Sequence, residues 1–525
     1  MGAGARPGGT AVARREEADP RRWKALTVCL VAGFMTLLDV SIVNVALPSI
    51  RAGLNAPQSD LQWVVSGYAL TFGLVLVPSG RFGDMRGRRN AFVFGVALFT
   101  LASAAAGIAR DPTWLVAARL VQGMAGGVIN PQVSGLIQQL FRGAERGRAF
   151  GLLGATISVS TAIGPLLGGL LIRLGGDHDG WRLVFYVNVP IGVLAILLAY
   201  RYLPHRPPGT RSRKSMDPVG VLLLAAGVML ILLPLVEGQQ WHGTAKWLLS
   251  AAGLVVIALF TLWERHYGRR HEPVVNLSLF RRRSYAFGAT IAALYFAGFT
   301  SIFFILTLYL QNGLGYSPLA AGLASTPFAA GSAIASVLGG RVVTRYGRPL
   351  VAAGLLTVAI GLVGTEFAIR LASGQNLAWA IAPPLLVAGL GSGLVISPNQ
   401  TLTLSQVPVA EAGTAGGVLQ TGQRIGTAIG IAAIGAVFFA EVDSSHGDYA
   451  MAFRQALLVT IGFVLTALAV AVADVIAARR ARPPDGPAGL PPRSAPTSAS
   501  RSPRGRKHPP ARAGRSAPAP SPRPE

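Results

Sequence analysis

The stretch ALTVCLVAGFMTLLDVSIVNVALPSI, residues 25–50, is apolar over almost its whole length and contains a single charged side chain, Asp39. A helix needs about 20 predominantly apolar residues to cross the hydrocarbon core of a bilayer. We therefore predict that this stretch is the first transmembrane helix. Residues 1–24 carry charges of both signs and no apolar run, so we do not expect them to be a cleaved signal peptide.

Apolar runs of similar length recur along the rest of the chain. They lie at 61–80, 91–109, 113–141, 149–172, 183–203, 218–236, 247–263, 284–310, 317–340, 349–369, 377–404, 412–440 and 451–478. Charged residues make up only 13% of the 525 residues, against about 25% in soluble domains. Because fourteen such runs cannot all be the buried core of a soluble protein, we expect an all-α integral membrane fold with fourteen transmembrane helices.

The positive charges predict the orientation in the bilayer. The chain has 47 Lys and Arg residues against 22 Asp and Glu, a net charge of +25. With both ends in the cytoplasm, most of the basic residues fall in cytoplasmic segments, where Lys and Arg are normally retained. The two that fall inside spans are Arg119 and Arg424. We therefore expect a multi-pass protein of the bacterial plasma membrane with both termini cytoplasmic, and no nucleic-acid partner.

Two segments in the first half of the chain recur in similar form in the second half. GRFGDMRGRR (80–89) matches GRVVTRYGRP (340–349), and AERGRAFG (144–151) matches AEAGTAGG (410–417). Parallel repeats of this kind place two bundles about an axis along the membrane normal, with the substrate site between them. The predicted domains are a cytoplasmic N-tail at 1–23, an N-terminal six-helix bundle at 24–203, a linker with two extra transmembrane helices at 204–283, a C-terminal six-helix bundle at 284–478, and a disordered basic Pro/Arg/Ser-rich cytoplasmic tail at 479–525.

Four segments resemble the major facilitator superfamily, and in particular its fourteen-span drug:proton antiporter branch of the EmrB/QacA type. They are LDVSIVNVALPSI (38–50), GRFGDMRGRR (80–89), RLVQGMAGG (119–127) and GPLLGG (164–169). The resemblance implies a major-facilitator fold with two extra central helices. It also implies export of a small amphipathic molecule in exchange for protons.

Asp39 and Arg119 are the candidate proton-coupling residues. A charged Asp at the centre of a membrane helix costs about 2.5–3.5 kcal/mol on insertion scales, so Asp39 is expected to face the interior of the bundle. Arg119 stays protonated and is the natural counter-charge. By resemblance it belongs to a proton-transfer motif. The alternative is an ion pair that only orders the helices.

The segment 80–89 is the candidate cytoplasmic gate, which the resemblance implies holds the two halves together when the site faces outward. Its candidate residues are Gly80, Arg81, Asp84, Gly87, Arg88 and Arg89. As a short glycine-bearing loop it permits a tight turn, and Asp84 is expected to cap span 3 and to pair with Arg88. Thr344 replaces Asp84 in the second copy. The alternative is a purely orienting role for the positive charges.

Span 5 carries the motif that the resemblance links to antiporters, with Gly164, Pro165, Gly168 and Gly169. Two glycines four residues apart allow close approach of another helix. Pro165 removes one intrahelical hydrogen bond and so frees a backbone carbonyl. The alternative is a packing role alone.

Polar and aromatic residues within the spans are candidates for an amphipathic substrate cavity. They are Gln62, Trp63, Tyr68, Asn130, Gln132, Asn399, Gln400 and Arg424. A cavity of this composition suits bulky apolar or cationic compounds. The alternative for each residue is an ordinary interhelical hydrogen bond.

The chain contains no GxxxxGK[ST], HExxH or GxSxG segment, so neither an enzyme nor a metal site or cofactor is expected. The predicted function is proton-driven export of hydrophobic or cationic drugs or antibiotics, by a monomer. One alternative is a dedicated exporter of one endogenous metabolite or self-made antibiotic. A passive channel and a membrane sensor are the others.

Overall fold

The computed structural model describes residues 19–205, 216–236, 245–372 and 374–480. Within these ranges the chain forms fourteen α-helices and no β-strand, which confirms the predicted fold class. The helices are α1 (Arg22–Leu54), α2 (Gln58–Arg86), α3 (Arg88–Gly107), α4 (Pro112–Leu140), α5 (Gly143–Tyr186), α6 (Asn188–Tyr202), α7 (Pro218–Val236), α8 (Lys246–Tyr267), α9 (Arg283–Leu308), α10 (Pro318–Tyr346), α11 (Arg348–Leu371), α12 (Leu377–Thr403), α13 (Ala412–Ser444) and α14 (Tyr449–Arg480).

The helices up to Ala478 belong to one compact unit, and a second unit begins at Arg479. Parts of the predicted tails, 1–18 and 481–525, lie outside the described residues. So do 206–215 and 237–244 of the predicted linker. The division into two bundles, a linker and two tails therefore stays a prediction.

Thirteen helical segments of the described chain are long and apolar enough to cross a membrane. α4 is not among them, although it is 29 residues long and lies between two such segments in the chain. It is too polar because it carries Arg119, Gln122, Gln132 and Gln138, all of them buried. A helix with these side chains needs protein around it rather than lipid. With α4 included, the predicted count of fourteen spans is roughly consistent with the structure.

The repeated segments 80–89 and 340–349 contain almost no loop. α2 continues to Arg86 and α3 begins at Arg88, so that only Gly87 separates them, with a φ of 105°. In the second copy only Gly347 separates α10 from α11, with a φ of 59°. Both φ values lie in the region that favours glycine. The predicted loop is therefore wrong, but the two copies share the same sharp helix–helix junction.

α5 lies between helices of the two halves of the chain. It is interrupted at Gly176, where φ is 81°, and the next membrane-crossing segment runs from His178 to Tyr202. On one side Gly164 packs against Ser41 of α1. On another, Gly147 lies so close to the backbone of α10 that a side chain there would clash with the Gly340 carbonyl. The small residues of α5 thus allow tight contact with both halves.

Candidate functional site

Asp39 lies in the middle of α1 and is fully buried. Its Oδ2 atom accepts a 2.6 Å hydrogen bond from Nη1 of Arg119. Its Oδ1 atom accepts from Nε2 of Gln122 at 2.8 Å and from Nδ2 of Asn188 at 3.0 Å. All three partners donate to the Asp39 carboxyl group, and together they join α1 to α4 and α6.

Arg119 makes several hydrogen bonds and an aromatic contact in addition to its pairing with Asp39. Its Nε atom donates to the Val64 carbonyl of α2 at 3.0 Å, and its Nη1 atom also donates to Oε1 of Gln122 at 2.8 Å. The guanidinium lies 4.2 Å from the centre of the Tyr68 ring. Removing one partner of such a buried pair costs about 3–5 kcal/mol, because the other charge is left uncompensated. Asp39 and Arg119 therefore form one electrostatic unit.

Asp84 joins the end of α2 to the beginning of α13. Its buried carboxylate accepts hydrogen bonds from the backbone N–H of Gly413 at 3.1 Å and of Thr414 at 2.8 Å, and from the Thr414 hydroxyl at 3.0 Å. The free N–H groups and the dipole at a helix N-terminus favour a negative charge there. Asp84 thus caps α13, and the prediction that it caps the third span is wrong. Gly80 allows this contact, since a side chain there would clash with the Gly413 carbonyl.

Arg88 completes the same junction. It pairs with Asp84 at 2.7 Å, as expected for residues one turn apart, and donates to the Gly135 carbonyl of α4 at 3.1 Å. It also donates to the carbonyl of Val409, which precedes α13. We call the contacts of Asp84 and Arg88 with residues 409–414 the latch. The latch connects the first half of the chain to the second.

The remaining predicted gate residues make contacts close to the latch but outside it. Arg81 is buried and lies 3.1 Å from the carboxylate of Glu272, which follows the extra helix α8. Arg89 donates to the Tyr200 carbonyl of α6 at 2.8 Å. Gly87 forms the junction between α2 and α3. The motif thus contacts α6 and the segment after α8 in addition to α13.

The second copy of the motif makes different contacts. Arg348 lies 3.0 Å from Asp474 of α14 and donates to Oδ1 of Asn399 in α12 at 3.2 Å. Both partners belong to the second half of the chain. Because Thr344 stands where Asp84 stands in the first copy, the second copy lacks the carboxylate that makes the latch. Only the first copy of the motif therefore connects the two halves of the chain through a carboxylate.

The proline of α5 is matched by a serine of α1. Pro165 has no N–H, so the carbonyl of Thr161 cannot form its intrahelical bond. The hydroxyl of Ser41 donates to that carbonyl at 3.1 Å. Gly164, next to the proline, allows Ser41 to approach this closely.

The other two glycines of the motif differ from each other. A side chain at Gly168 would lie 3.0 Å from Cγ1 of Ile42, whereas a side chain at Gly169 would meet no heavy atom within 4 Å. Gly164 and Gly168 therefore face α1, and Gly169 does not.

A cavity of about 690 Å³ lies between α1, α2, α7 and α13. It is lined by Asn44, Leu47, Pro48, Arg51, Gln58, Leu61, Gln62, Val65, Ser66, Ala69, Leu70, Leu232, Leu235, Arg424, Thr427, Ala428 and Ile431. Two of the predicted substrate residues, Gln62 and Arg424, are part of this lining. Leu232 and Leu235 belong to α7, so one of the two extra helices contributes to the wall.

The other six predicted substrate residues are not part of the lining of this cavity. Tyr68 stacks on Arg119, and Trp63 packs in an apolar cluster with residues of α7. The four amide side chains donate hydrogen bonds within the protein: Asn130 to the Gly126 carbonyl at 3.1 Å, Gln132 to the Ser79 carbonyl at 2.9 Å, Asn399 to the Gly288 carbonyl at 2.8 Å and Gln400 to the Ser134 hydroxyl at 3.4 Å. In this conformation they make ordinary internal hydrogen bonds.

Arg424 differs from Arg119 in its surroundings. Its guanidinium lies 4.3 Å from the centre of the Phe72 ring of α2. Among the described residues no Asp or Glu pairs with it. One face of the group is covered by the aromatic ring, and the side chain lines the cavity.

The structure thus has a buried acid–arginine pair, a latch between the two halves of the chain and a cavity lined by helices of both halves. The family model of the Major Facilitator Superfamily matches residues 29–431. The chain belongs to the major facilitator superfamily. This confirms the family suggested by the four sequence segments.

The chain is similar to proteins that are named for transport and for drug resistance. A protein named "Probable actinorhodin transporter" from Streptomyces coelicolor is 38% identical over 80% of this chain and 73% of its own length. "Multidrug resistance protein Stp" from Mycobacterium tuberculosis is 36% identical over 78% of this chain and 74% of its own length. Among solved structures, the proton:xylose symporter XylE has a TM-score of 0.60 at 16% identity, covering 85% of this chain and 94% of that one. At that identity it shows the fold alone.

Several residues that bond to the predicted site residues of this superfamily member were not predicted from the sequence. Gln122 had a usable signal, because it follows Arg119 by one helical turn on the same polar helix. Asn188 had none, since it lies 149 positions from Asp39 and reaches it only through the fold. Glu272 likewise gives no local sign that it meets Arg81.

Proposed function

We propose that this superfamily member exports amphipathic antibiotic-like or drug-like compounds across the bacterial plasma membrane in exchange for protons. The names of its relatives, an antibiotic transporter and a multidrug resistance protein, support the substrate class. No cofactor is needed in this scheme, because the proton gradient supplies the energy.

The observation that supports proton coupling is the hydrogen-bond network around Asp39. Protonation removes the negative charge that three donors share. It also leaves Arg119 buried without a counter-charge, at a cost of about 3–5 kcal/mol. A free-energy difference of that size changes a two-state equilibrium constant by more than about a hundredfold. In the proposed cycle, protonation of Asp39 outside releases substrate, and deprotonation inside restores the site.

The positions of the latch and the cavity along the helices support a direction for this cycle. The latch lies at the C-terminal end of α2, whereas the cavity lies along the N-terminal half of α2 and the C-terminal part of α1. With both termini in the cytoplasm, as the distribution of Lys and Arg favours, the latch closes the cytoplasmic end and the cavity lies toward the outside. One chain supplies both repeats, the latch and the cavity, and the proposed working unit is a monomer.

The test uses everted membrane vesicles with an imposed pH gradient and three dyes: fluorescein, rhodamine 123 and ethidium. The wild-type protein is expected to accumulate at least one dye only while the gradient is present. Asp39→Asn should reach wild-type abundance in the membrane and lose the gradient-driven accumulation. The matched control is Glu366→Gln, which changes another arginine-paired carboxylate, on α11. Gradient-driven transport that is unchanged in Asp39→Asn would refute the proposed coupling.

A second candidate is an exporter dedicated to one compound. The name of the Streptomyces coelicolor relative, which refers to a single antibiotic, favours it. Growth of cells expressing the protein on a panel of unrelated toxic compounds distinguishes the two, since resistance to one scaffold alone supports the dedicated exporter. Saturable counterflow in proteoliposomes separates both candidates from a passive channel.

A further inference from the structure

The charges on the wall of the cavity have one sign. Of the residues that line it, Arg51 and Arg424 are basic and none is Asp or Glu. Arg51 is exposed at the last turn of α1, whereas Arg424 is partly buried on α13. The rest of the lining is mainly apolar, with a few amide and hydroxyl groups. The cavity therefore offers a compound one partly buried positive charge in apolar surroundings.

Among the described residues Arg424 lacks the carboxylate partner that three other arginines within the helix bundle have. Arg119 pairs with Asp39, Arg88 with Asp84, and Arg348 lies beside Asp474, whereas Arg424 has a ring contact instead. Stacking on an aromatic ring covers a face of the planar guanidinium and leaves its N–H groups, which point outward in the plane, available to a ligand. A partly buried charge without a counter-ion is costly, and a bound anion reduces that cost.

A cationic compound finds no comparable partner in the cavity. The nearest candidate from the sequence, Asp39, does not line it, and its two oxygens already accept three hydrogen bonds. For the carboxylate to bind a cation, it would have to give up Arg119. The described cavity thus favours negative over positive charge on the ligand.

We propose that Arg424 recognises an acidic group of the transported compound, so that the substrates are amphipathic anions. The inference rests on the proposed export function and names its substrate class. The acidic group bonds to the N–H groups of Arg424, while the apolar body packs against Leu61, Leu70, Leu232 and Leu235. The sequence predicts export of hydrophobic or cationic drugs, whereas the charges of this wall favour anionic ones.

The test is equilibrium binding of two xanthene dyes to the purified full-length protein in detergent, followed by fluorescence anisotropy. Fluorescein carries negative charge and rhodamine 123 positive charge on similar ring systems. Wild-type protein is expected to bind fluorescein at least about tenfold more tightly, as one charge-assisted hydrogen bond provides. Arg424→Gln should weaken fluorescein binding by about tenfold and leave rhodamine 123 binding unchanged. Arg424→Lys, which keeps the charge, should retain most of the affinity.

Arg51→Gln is the matched control, because it removes the other positive charge of the wall at an exposed position, where a single charge contributes little. Equal loss of both dyes in Arg424→Gln, tighter binding of rhodamine 123 by the wild type, or binding of neither dye would overturn the inference. The comparison of the two dyes on wild-type protein and on Arg424→Lys remains decisive if Arg424→Gln does not fold. Failure here is separate from failure of the export proposal: a protein that exports only cations keeps proton exchange and loses this inference.

Discussion

The carboxylate of Asp39 and the guanidinium of Arg119 lie 2.6 Å apart, and the two side chains are 0% and 2% exposed. Each is therefore the main source of compensation for the charge of the other, since water does not reach them. The pair joins α1 to α4, and Gln122 and Asn188 bond to the same carboxylate. A change in the charge of Asp39 consequently alters hydrogen bonds that join three helices, α1, α4 and α6.

The mutual dependence of this pair predicts non-additive effects on stability. Arg119→Gln should lower the free energy of unfolding by about 3–5 kcal/mol, because Asp39 is left as a buried charge without a counter-ion. The double variant Asp39→Asn/Arg119→Gln should recover a large part of this loss, since neither charge remains. Unfolding in sodium dodecyl sulfate followed by circular dichroism measures all four proteins. Strictly additive losses would show that the two residues are not coupled.

The latch predicts a shift of conformation when its carboxylate is neutralised. Asp84→Asn loses the charge that accepts three hydrogen bonds from the start of α13 and pairs with Arg88. Since a hydrogen bond to a charged group contributes about 1.5–3 kcal/mol, we expect the equilibrium between closed and open latch to move at least about tenfold toward open.

The measurement is the distance between spin labels at Arg86→Cys and Ala410→Cys, two exposed positions on either side of the latch, with Cys29→Ala as background. A second population at longer distance should appear in Asp84→Asn. Thr344→Val, at the equivalent position of the second copy, is the matched control and should leave the distances unchanged. A single unchanged distance in Asp84→Asn would contradict the role assigned to the latch.

The sequence predicts the parts of this fold that depend on local chemistry. Long apolar runs require helices in a bilayer, and the repeated segments 80–89 and 340–349 contain the equivalent junctions at Gly87 and Gly347. The pairing of Asp84 with Arg88 follows from their spacing of one helical turn. Each of these features depends on residues within a few positions of one another.

Contacts between distant segments were not predictable in the same way. The sequence predicts that Asp84 caps α3, the next helix in the chain, whereas Asp84 caps α13, about 330 positions further on. Polar residues such as Gln132 and Asn399 were assigned to the cavity on residue type alone, although packing turns them toward backbone carbonyls. Residue type indicates that a polar side chain in a membrane helix needs a partner, and the fold decides which.

The contact between Ser41 and the freed carbonyl of Thr161 predicts a dependence on Pro165. Ser41→Ala should cost about 1 kcal/mol, because the Thr161 carbonyl loses the hydrogen bond from the Ser41 hydroxyl. In a Pro165→Ala background the new N–H at position 165 can bond to that carbonyl, so the same Ser41→Ala change should cost less. A double-mutant cycle on the free energy of unfolding measures the difference. Equal costs in both backgrounds would mean that Ser41 does not compensate for the proline.

Gly164 and Gly169 of α5 predict different results for the same substitution. Gly164→Ala places a methyl group against the side chain and backbone of Ser41, so α1 and α5 must separate. We expect a loss of about 1–3 kcal/mol in the free energy of unfolding, together with loss of gradient-driven dye export. Gly169→Ala meets no heavy atom within 4 Å and should leave both unchanged. Adding Ser41→Gly to Gly164→Ala removes the obstructing side chain and should restore part of the stability, whereas equal behaviour of the two alanine variants would show that the α1–α5 contact does not limit this transporter.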